Sequence, residues 1–259
     1  MRGKVVVITG SIGGIGYGVA KKFASGGAKI VLNGLVPEEE VGPKLEELKE
    51  LGAFDAIYCK ADLTNPVEID EMFKKIIQKF SQVDILINNA GVQFVSPIEE
   101  FPNETWEKII KVCLNAAFYT IKNALPLMKK NQWGRIINIG SAHALVASPF
   151  KSAYVAAKHG INGLTKSVAL EVAQDGITVN TVCPGYVRTE MVLGQVADTA
   201  KVRNMPEEDV INDVILGAHA IKKFVEIEEV ASFIYYLCSK EAGPITGAAL
   251  SIDCGWSTH

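Results

Sequence analysis

The stretch Lys4-Val5-Val6-Val7-Ile8-Thr9-Gly10-Ser11-Ile12-Gly13-Gly14-Ile15-Gly16 constrains this chain more than any other. An apolar run with no polar alternation reads as a strand covered on both faces, the pattern of a parallel sheet. The glycines that follow let backbone amides close on a pyrophosphate at the N-terminus of the next helix. Gly10, Ser11, Gly14, Ile15 and Gly16 are therefore expected to hold a dinucleotide.

Short apolar runs then alternate with longer segments of helical period. Strands are predicted near residues 4–9, 29–33, 55–60, 83–87, 134–140, 177–182 and 248–252. This alternation implies right-handed βαβ units, hence a doubly wound α/β fold of Rossmann type. With 259 residues, 48% of them hydrophobic, the chain can bury a large core, and one domain spanning 1–259 is expected. Helix starts are predicted at Asn65-Pro66 and Pro102-Asn103. The least regular stretch, about 190–222, follows Pro184-Gly185 and is expected to form a substrate lid at the carboxyl end of the sheet.

A net charge of −3 with no bunching of basic residues argues against a nucleic-acid or membrane partner. Cys59, Cys113, Cys183, Cys238 and Cys254 are widely spaced and show no metal-ligand pairing, so no metal is expected. Met1-Arg2-Gly3-Lys4 leads straight into the first strand, and no apolar run approaches the ~20 residues of a membrane span. A cytoplasmic protein with reduced thiols is the expectation.

Tyr154 and Lys158 stand four residues apart, the spacing that puts a phenol and an ammonium on one helix face. The cation is expected to lower a phenol pKa from about 10 toward neutrality, giving a proton donor or acceptor usable near pH 7. Ser141 precedes the pair. Taken together, Thr9-Gly10-x-x-x-Gly14-Ile15-Gly16, Asn88-Asn89-Ala90-Gly91, Asn115, Ser141, Tyr154-x-x-x-Lys158 and Pro184-Gly185 resemble, in order and spacing, the short-chain dehydrogenase/reductase family across essentially the whole chain. The resemblance implies a nicotinamide cofactor and a catalytic group of Asn115, Ser141, Tyr154 and Lys158, with Asn115 holding a water. It also implies cofactor contacts from Asp62, Leu63, Asn89, Ala90, Gly91, Tyr154, Lys158, Pro184, Gly185, Val187 and Thr189. Relatives are often tetramers, so a homotetramer is expected, and the small residues Ala153, Ala156, Ala157, Gly160 and Gly163 would let helices approach closely.

The second strand ends Asn33-Gly34-Leu35-Val36, with no Arg or Lys to meet a 2′-phosphate, which favours NAD. The acidic residue expected there for the ribose hydroxyls is missing, leaving Asn33 or backbone groups to substitute. An Arg placed at position 34 is expected to move the preference toward NADP.

Gln93, His143, Lys151 and Gln195 are similar in placement to the substrate pocket of D-3-hydroxybutyrate dehydrogenases, one branch of that family. The resemblance implies that these four hold the carboxylate of a small hydroxy acid, (R)-3-hydroxybutyrate, while Tyr154 exchanges its hydroxyl proton. Two alternatives stand beside it: a short-chain reductase for another carbonyl, such as a 3-oxoacyl thioester or a polyol, and a catalytically silent NAD-binding protein.

Overall fold

The computed structural model describes residues 1–258. Its centre is a seven-stranded sheet, every pairing parallel, in the order β3-β2-β1-β4-β5-β6-β7. The strands are β1 (Val5–Ile8), β2 (Lys29–Gly34), β3 (Asp55–Lys60), β4 (Ile85–Asn88), β5 (Gly134–Ile139), β6 (Ile177–Pro184) and β7 (Ala249–Ile252). All seven fall where the apolar runs predict them.

The first strand shows why its run lacks alternation. Val5 and Val7 join one core, Val6 and Ile8 the other, and all four are fully buried. A two-residue side-chain period delivers alternate residues to opposite faces, so a strand buried on both faces must be apolar throughout. Over the face carrying Val6 and Ile8 lie α1 (Gly14–Ser25), with Phe23 at its centre, and the helix Ile227–Leu237. A Cβ at Gly18 would collide with Ile227, so glycine there sets how closely these two helices meet. Over the other face lie α2 (Pro66–Phe80), α3 (Ala116–Lys130) and α4 (Ser152–Val172), which contribute Phe73, Ile121 and Val168.

Asn65 caps α2 by accepting from the Val67 amide at 3.1 Å. The helix predicted to start at Pro102-Asn103 runs Asn103–Ile110, with Pro102 in the cap position and no side chain bonding the first turn. Between that helix and α3, residues Lys111–Asn115 form a π-turn.

The stretch 190–222 is more regular than its sequence suggests. It opens with α5 (Glu190–Arg203), continues through a short turn at Glu207–Asp209 and a π-turn at Val210–Ile215, and packs around a small apolar cluster of Tyr186, Val196, Val210, Ile215, Phe224 and Trp256. On α5 only Val196 and Thr199 are buried, so its apolar stripe is too thin to register as a period. No helix among the described residues is long and apolar enough to cross a membrane.

Candidate active site

Strand order reverses direction from β1, where the chain has built outward to β2 and β3 and then crosses back to β4. Loops leaving β1 and β4 diverge there, the position where open α/β sheets bind ligands. A cleft of about 1290 Å³ opens there, lined by Gly10, Gly13, Gly14, Ile15, Asp62, Leu63, Asn89, Ala90, Gly91, Ser141, Tyr154, Lys158, Pro184, Gly185, Val187 and Thr189.

The glycine loop is pinned from below. Asn89 Nδ2 donates to the carbonyls of Thr9 and Gly10 at 2.9 and 2.8 Å, and Thr9 Oγ1 accepts from the amides of Asn89 and Ala90. A Cβ at Gly16 would stand 2.5 Å from Asn89 Nδ2 and one at Gly10 2.8 Å from Ala90 Cα, so both glycines are required by close packing. Gly14 has φ +53° and open space around it, with only Thr189 Cγ2 within 4 Å of a built Cβ. Two crowded glycines inside and one open glycine facing the cleft are the cradle a pyrophosphate needs.

Two expected cofactor contacts turn inward instead. Ser11 is fully buried, its hydroxyl donating to Ile8 O at 2.8 Å and accepting from the Asn33 amide at 3.0 Å. Asn33 is fully buried as well: Oδ1 accepts from the Gly10 amide, and Nδ2 donates to the carbonyls of Cys59 and Ala61. Its amide ties the loop to β2 and β3 and has no donor to spare for a ribose. Position 34 is closed too, because a Cβ there would collide with Ile12; the adjacent Leu35, 63% exposed, is the site that can accept a basic side chain. Asp62 lines the cleft with one carboxylate oxygen committed to the Thr64 amide at 2.8 Å. Lys44 also lines it, its ammonium 4.5 Å over the Tyr17 ring.

Ser141 follows β5, while Tyr154 and Lys158 sit one turn apart on α4. Lys158 is buried and donates to Ile139 O at 2.6 Å, with its ammonium 5.4 Å from the centre of the Tyr154 ring. Tyr154 is half-buried and borders the cleft; desolvation pushes its phenol well up, against a Ser141 hydrogen bond that pulls it down. Burial also lowers Lys158. The expected drop of the phenol toward neutrality is thus absent in this state, since desolvation of both groups outweighs their pairing.

Asn115 does not reach the site. It is exposed at the end of the π-turn, outside the cleft lining, whereas Cys113, two residues earlier, is buried and faces Lys158 across a water-sized cavity also lined by Thr9 and Asn88. The Cys113 thiol donates to Val92 O and accepts from the Val92 amide, both at 3.4 Å. The expectation for Asn115 rests on the family resemblance; the π-turn at Lys111–Asn115 instead turns Cys113 toward Lys158.

The four expected carboxylate ligands gather unequally. Lys151, 7% exposed, donates to Gln195 Oε1 at 3.3 Å and to the Tyr186 hydroxyl at 3.4 Å. Burial first, and then Arg203, lowers its pKa to about 8. Gln93 carries a buried Oε1 with no partner, an acceptor that a carboxylate cannot use, and the residue lines neither cavity, so only its Nε2 has the right sign for such a ligand. His143 departs from expectation. Its Nδ1 meets Ser141 Oγ at 3.3 Å, its Nε2 meets Ser148 Oγ at 2.9 Å, and burial with Lys151 nearby brings its pKa to about 3. It is a neutral bridge between two serines and has no free N–H for a carboxylate.

Sequence reasoning missed three neighbours. Tyr186 stacks on Trp256 at 4.8 Å, and His219, fully buried, accepts from the Tyr186 amide at 3.0 Å while donating from Nδ1 to Lys223 O at 2.7 Å. A Cβ at Gly185 would lie 2.7 Å from His219 Nε2, which is why glycine follows Pro184. None of these three belongs to a local spacing pattern, and contacts 33 to 70 residues apart in sequence leave no such signal.

The arrangement offers a glycine cradle of the kind a pyrophosphate needs, a half-buried phenol beside a hydroxyl, and a buried cation one helical turn away. Residues 4–200 match the family model described as short chain dehydrogenase. A D-beta-hydroxybutyrate dehydrogenase of Rhizobium meliloti (strain 1021) is 53% identical over 99% of this chain and 99% of its own length. Another D-beta-hydroxybutyrate dehydrogenase, from Cupriavidus necator, is 42% identical over 99% of this chain and 98% of its own. A crystal structure of a single-site variant of actinorhodin polyketide ketoreductase with NADPH matches with a TM-score of 0.93 at 30% identity, covering 100% of both chains. With the family model matched over residues 4–200 and relatives aligned from end to end, the chain belongs to the short-chain dehydrogenase family of oxidoreductases.

Proposed function

We propose that this protein interconverts (R)-3-hydroxybutyrate and acetoacetate with NAD. One observation carries the reading: Lys151, a buried cation with only neutral partners, lies one turn from Tyr154 and in reach of Gln195. Burying a cation without an anion is costly, and a substrate carboxylate would relieve that cost. End-to-end identity of 53% to a D-beta-hydroxybutyrate dehydrogenase supports the same substrate.

A nicotinamide dinucleotide held by the glycine cradle, Asp62, Leu63 and the Asn89–Gly91 loop would supply the hydride acceptor for oxidation and the donor for reduction. The chain's own residues do the rest. Lys151, Gln195 and Gln93 hold the carboxylate, which fixes the carbinol carbon relative to Ser141 and Tyr154. Ser141, oriented by His143, hydrogen-bonds the reacting oxygen. During oxidation the Tyr154 oxygen accepts the hydroxyl proton, and during reduction it returns that proton to the carbonyl oxygen. Lys158 holds the phenol end of the cleft. NAD is favoured over NADP because β2 ends without a basic residue. We assign the segment 190–222 as the substrate lid, and a cytoplasmic homotetramer as the working form.

The deciding measurement is NAD reduction at 340 nm with D- and L-3-hydroxybutyrate, repeated with NADP. The expected result is turnover of the D enantiomer with NAD and at most weak turnover of the L enantiomer, since a carboxylate anchored at one end presents only one face of the carbinol carbon. Absence of turnover with both, alongside reduction of a 3-oxoacyl thioester, would overturn the substrate.

A further inference from the structure

We infer that Arg203, at the end of α5, is the second cation of the carboxylate seat, and that an anion shared between Lys151 and Arg203 is what draws α5 closed over the substrate. The inference rests on the reading that Lys151 holds the substrate carboxylate, and it adds a residue and a coupling to that reading.

Arg203 lines the same small cavity as Lys151, Tyr186 and Gln195. Its guanidinium lies 6.0 Å from the centre of the Phe150 ring, the residue immediately before Lys151. Phe150 is held at φ +68°, a left-handed conformation that a bulky residue rarely adopts, and its carbonyl accepts from the Ser96 amide at 2.9 Å. The strained turn therefore sets two things at once. It aims Lys151 into the cavity and presents a ring for Arg203 to sit against.

Among the described residues, neither cation has a carboxylate within ion-pair distance. The other walls mix apolar Val95, Val192, Val214 and Ile215 with the hydroxyls of Ser148 and Thr199, and hold no acidic residue. Two like charges, Lys151 buried and Arg203 exposed, face one gap, and their repulsion opposes closure. A carboxylate placed between them reverses the sign of the interaction. The fixed wall supplies Lys151, whereas α5 supplies both Gln195 and Arg203. An anion thus has more to gain from the closed arrangement than from the open one, which is the differential affinity any ligand-driven closure requires. Space inside amounts to about 20 Å³, close to that of one water, so a carboxylate enters only as α5 moves out and settles back.

The test compares wild type, Arg203→Gln and Arg203→Lys as NADH-loaded full-length protein. Arg203→Gln is expected to raise KM for acetoacetate by about tenfold or more while kcat stays within about twofold, and Arg203→Lys is expected to recover most of the loss. For butanone, a neutral ketone, the three proteins should have the same kcat/KM. Sodium acetate serves as a probe that needs no turnover: in wild type it should slow hydrogen exchange across 190–203, and in Arg203→Gln it should not. An unchanged acetoacetate KM in Arg203→Gln, or equal protection by acetate in both proteins, overturns the inference. If wild type ignores acetoacetate yet acetate protects α5 only when Arg203 is present, the seat stands and the hydroxybutyrate assignment falls.

Discussion

Tyr154 is a phenol kept protonated by its burial, with Ser141 the group that works against that burial. Tyr154→Phe removes the hydroxyl and keeps the ring packing, so turnover should disappear while NADH binding, followed by its fluorescence, stays within about twofold. Residual turnover well above that of the uncatalysed reaction would remove Tyr154 from the proton path. Lys151 leads to a pH prediction. Its pKa is depressed to about 8, so the ammonium is present below that value and lost above it. The kcat/KM for acetoacetate, which reports the free enzyme, should fall as pH rises through about 8, and that for butanone should not follow. The unfolded lysine stays charged to higher pH, so the same depression makes Lys151 a destabilising group whose cost fades as pH climbs through the folded value. Tyr154, Lys158 and Lys151 are legible in sequence because one helix turn sets their spacing. His143 was legible as a neighbour of Ser141, but its role depends on Ser148 and on burial.

At the level of elements, the glycine loop works because β2 and β4 hold it. Asn33 makes three side-chain hydrogen bonds to the loop and to β3's end. Asn33→Ala should leave the Gly10 amide and two carbonyls without protein partners and cost about 2–4 kcal/mol, with NADH affinity falling together with thermal stability. A differential scan and an NADH titration check both, and loss of affinity without loss of stability would mean that Asn33 touches the cofactor after all. The strand was foreseen but this role was not, because a side chain at a strand end reads equally well as facing ligand or facing neighbours. Asn115 is named from the family resemblance, whereas the π-turn at Lys111–Asn115 leaves it exposed and turns Cys113 toward Lys158, and nothing in the residue types announces such a turn.

For the whole molecule, α4 divides its small residues between an inward and an exposed side. Ala153 and Ala157 are buried within the chain and a Cβ at Gly160 would stand 2.9 Å from Leu114, so these three serve internal packing. Ala156, Gly163 and Leu170 lie seven residues apart on the exposed side, where Leu170 is 82% exposed, and Phe118 on α3 is 49% exposed. Under the proposed assembly, Leu170→Glu combined with Phe118→Glu should shift sedimentation from a tetramer toward smaller species. An unchanged sedimentation coefficient would place the contact elsewhere.

By itself the sequence determined the seven strands, the sheet's parallel character, the dinucleotide loop and the Ser141-Tyr154-Lys158 group. Each of these is written in residues close together along the chain, where apolar period and fixed spacing carry the information. Tertiary structure decided which of Ser11, Asn33, Asn115 and His143 turns inward or out to solvent, and it brought Tyr186, with His219 behind it, and Arg203 to the cavity that Lys151 lines. Those outcomes depend on which distant groups compete for the same hydrogen bond or the same desolvated space, and such competition exists only once the chain has closed on itself.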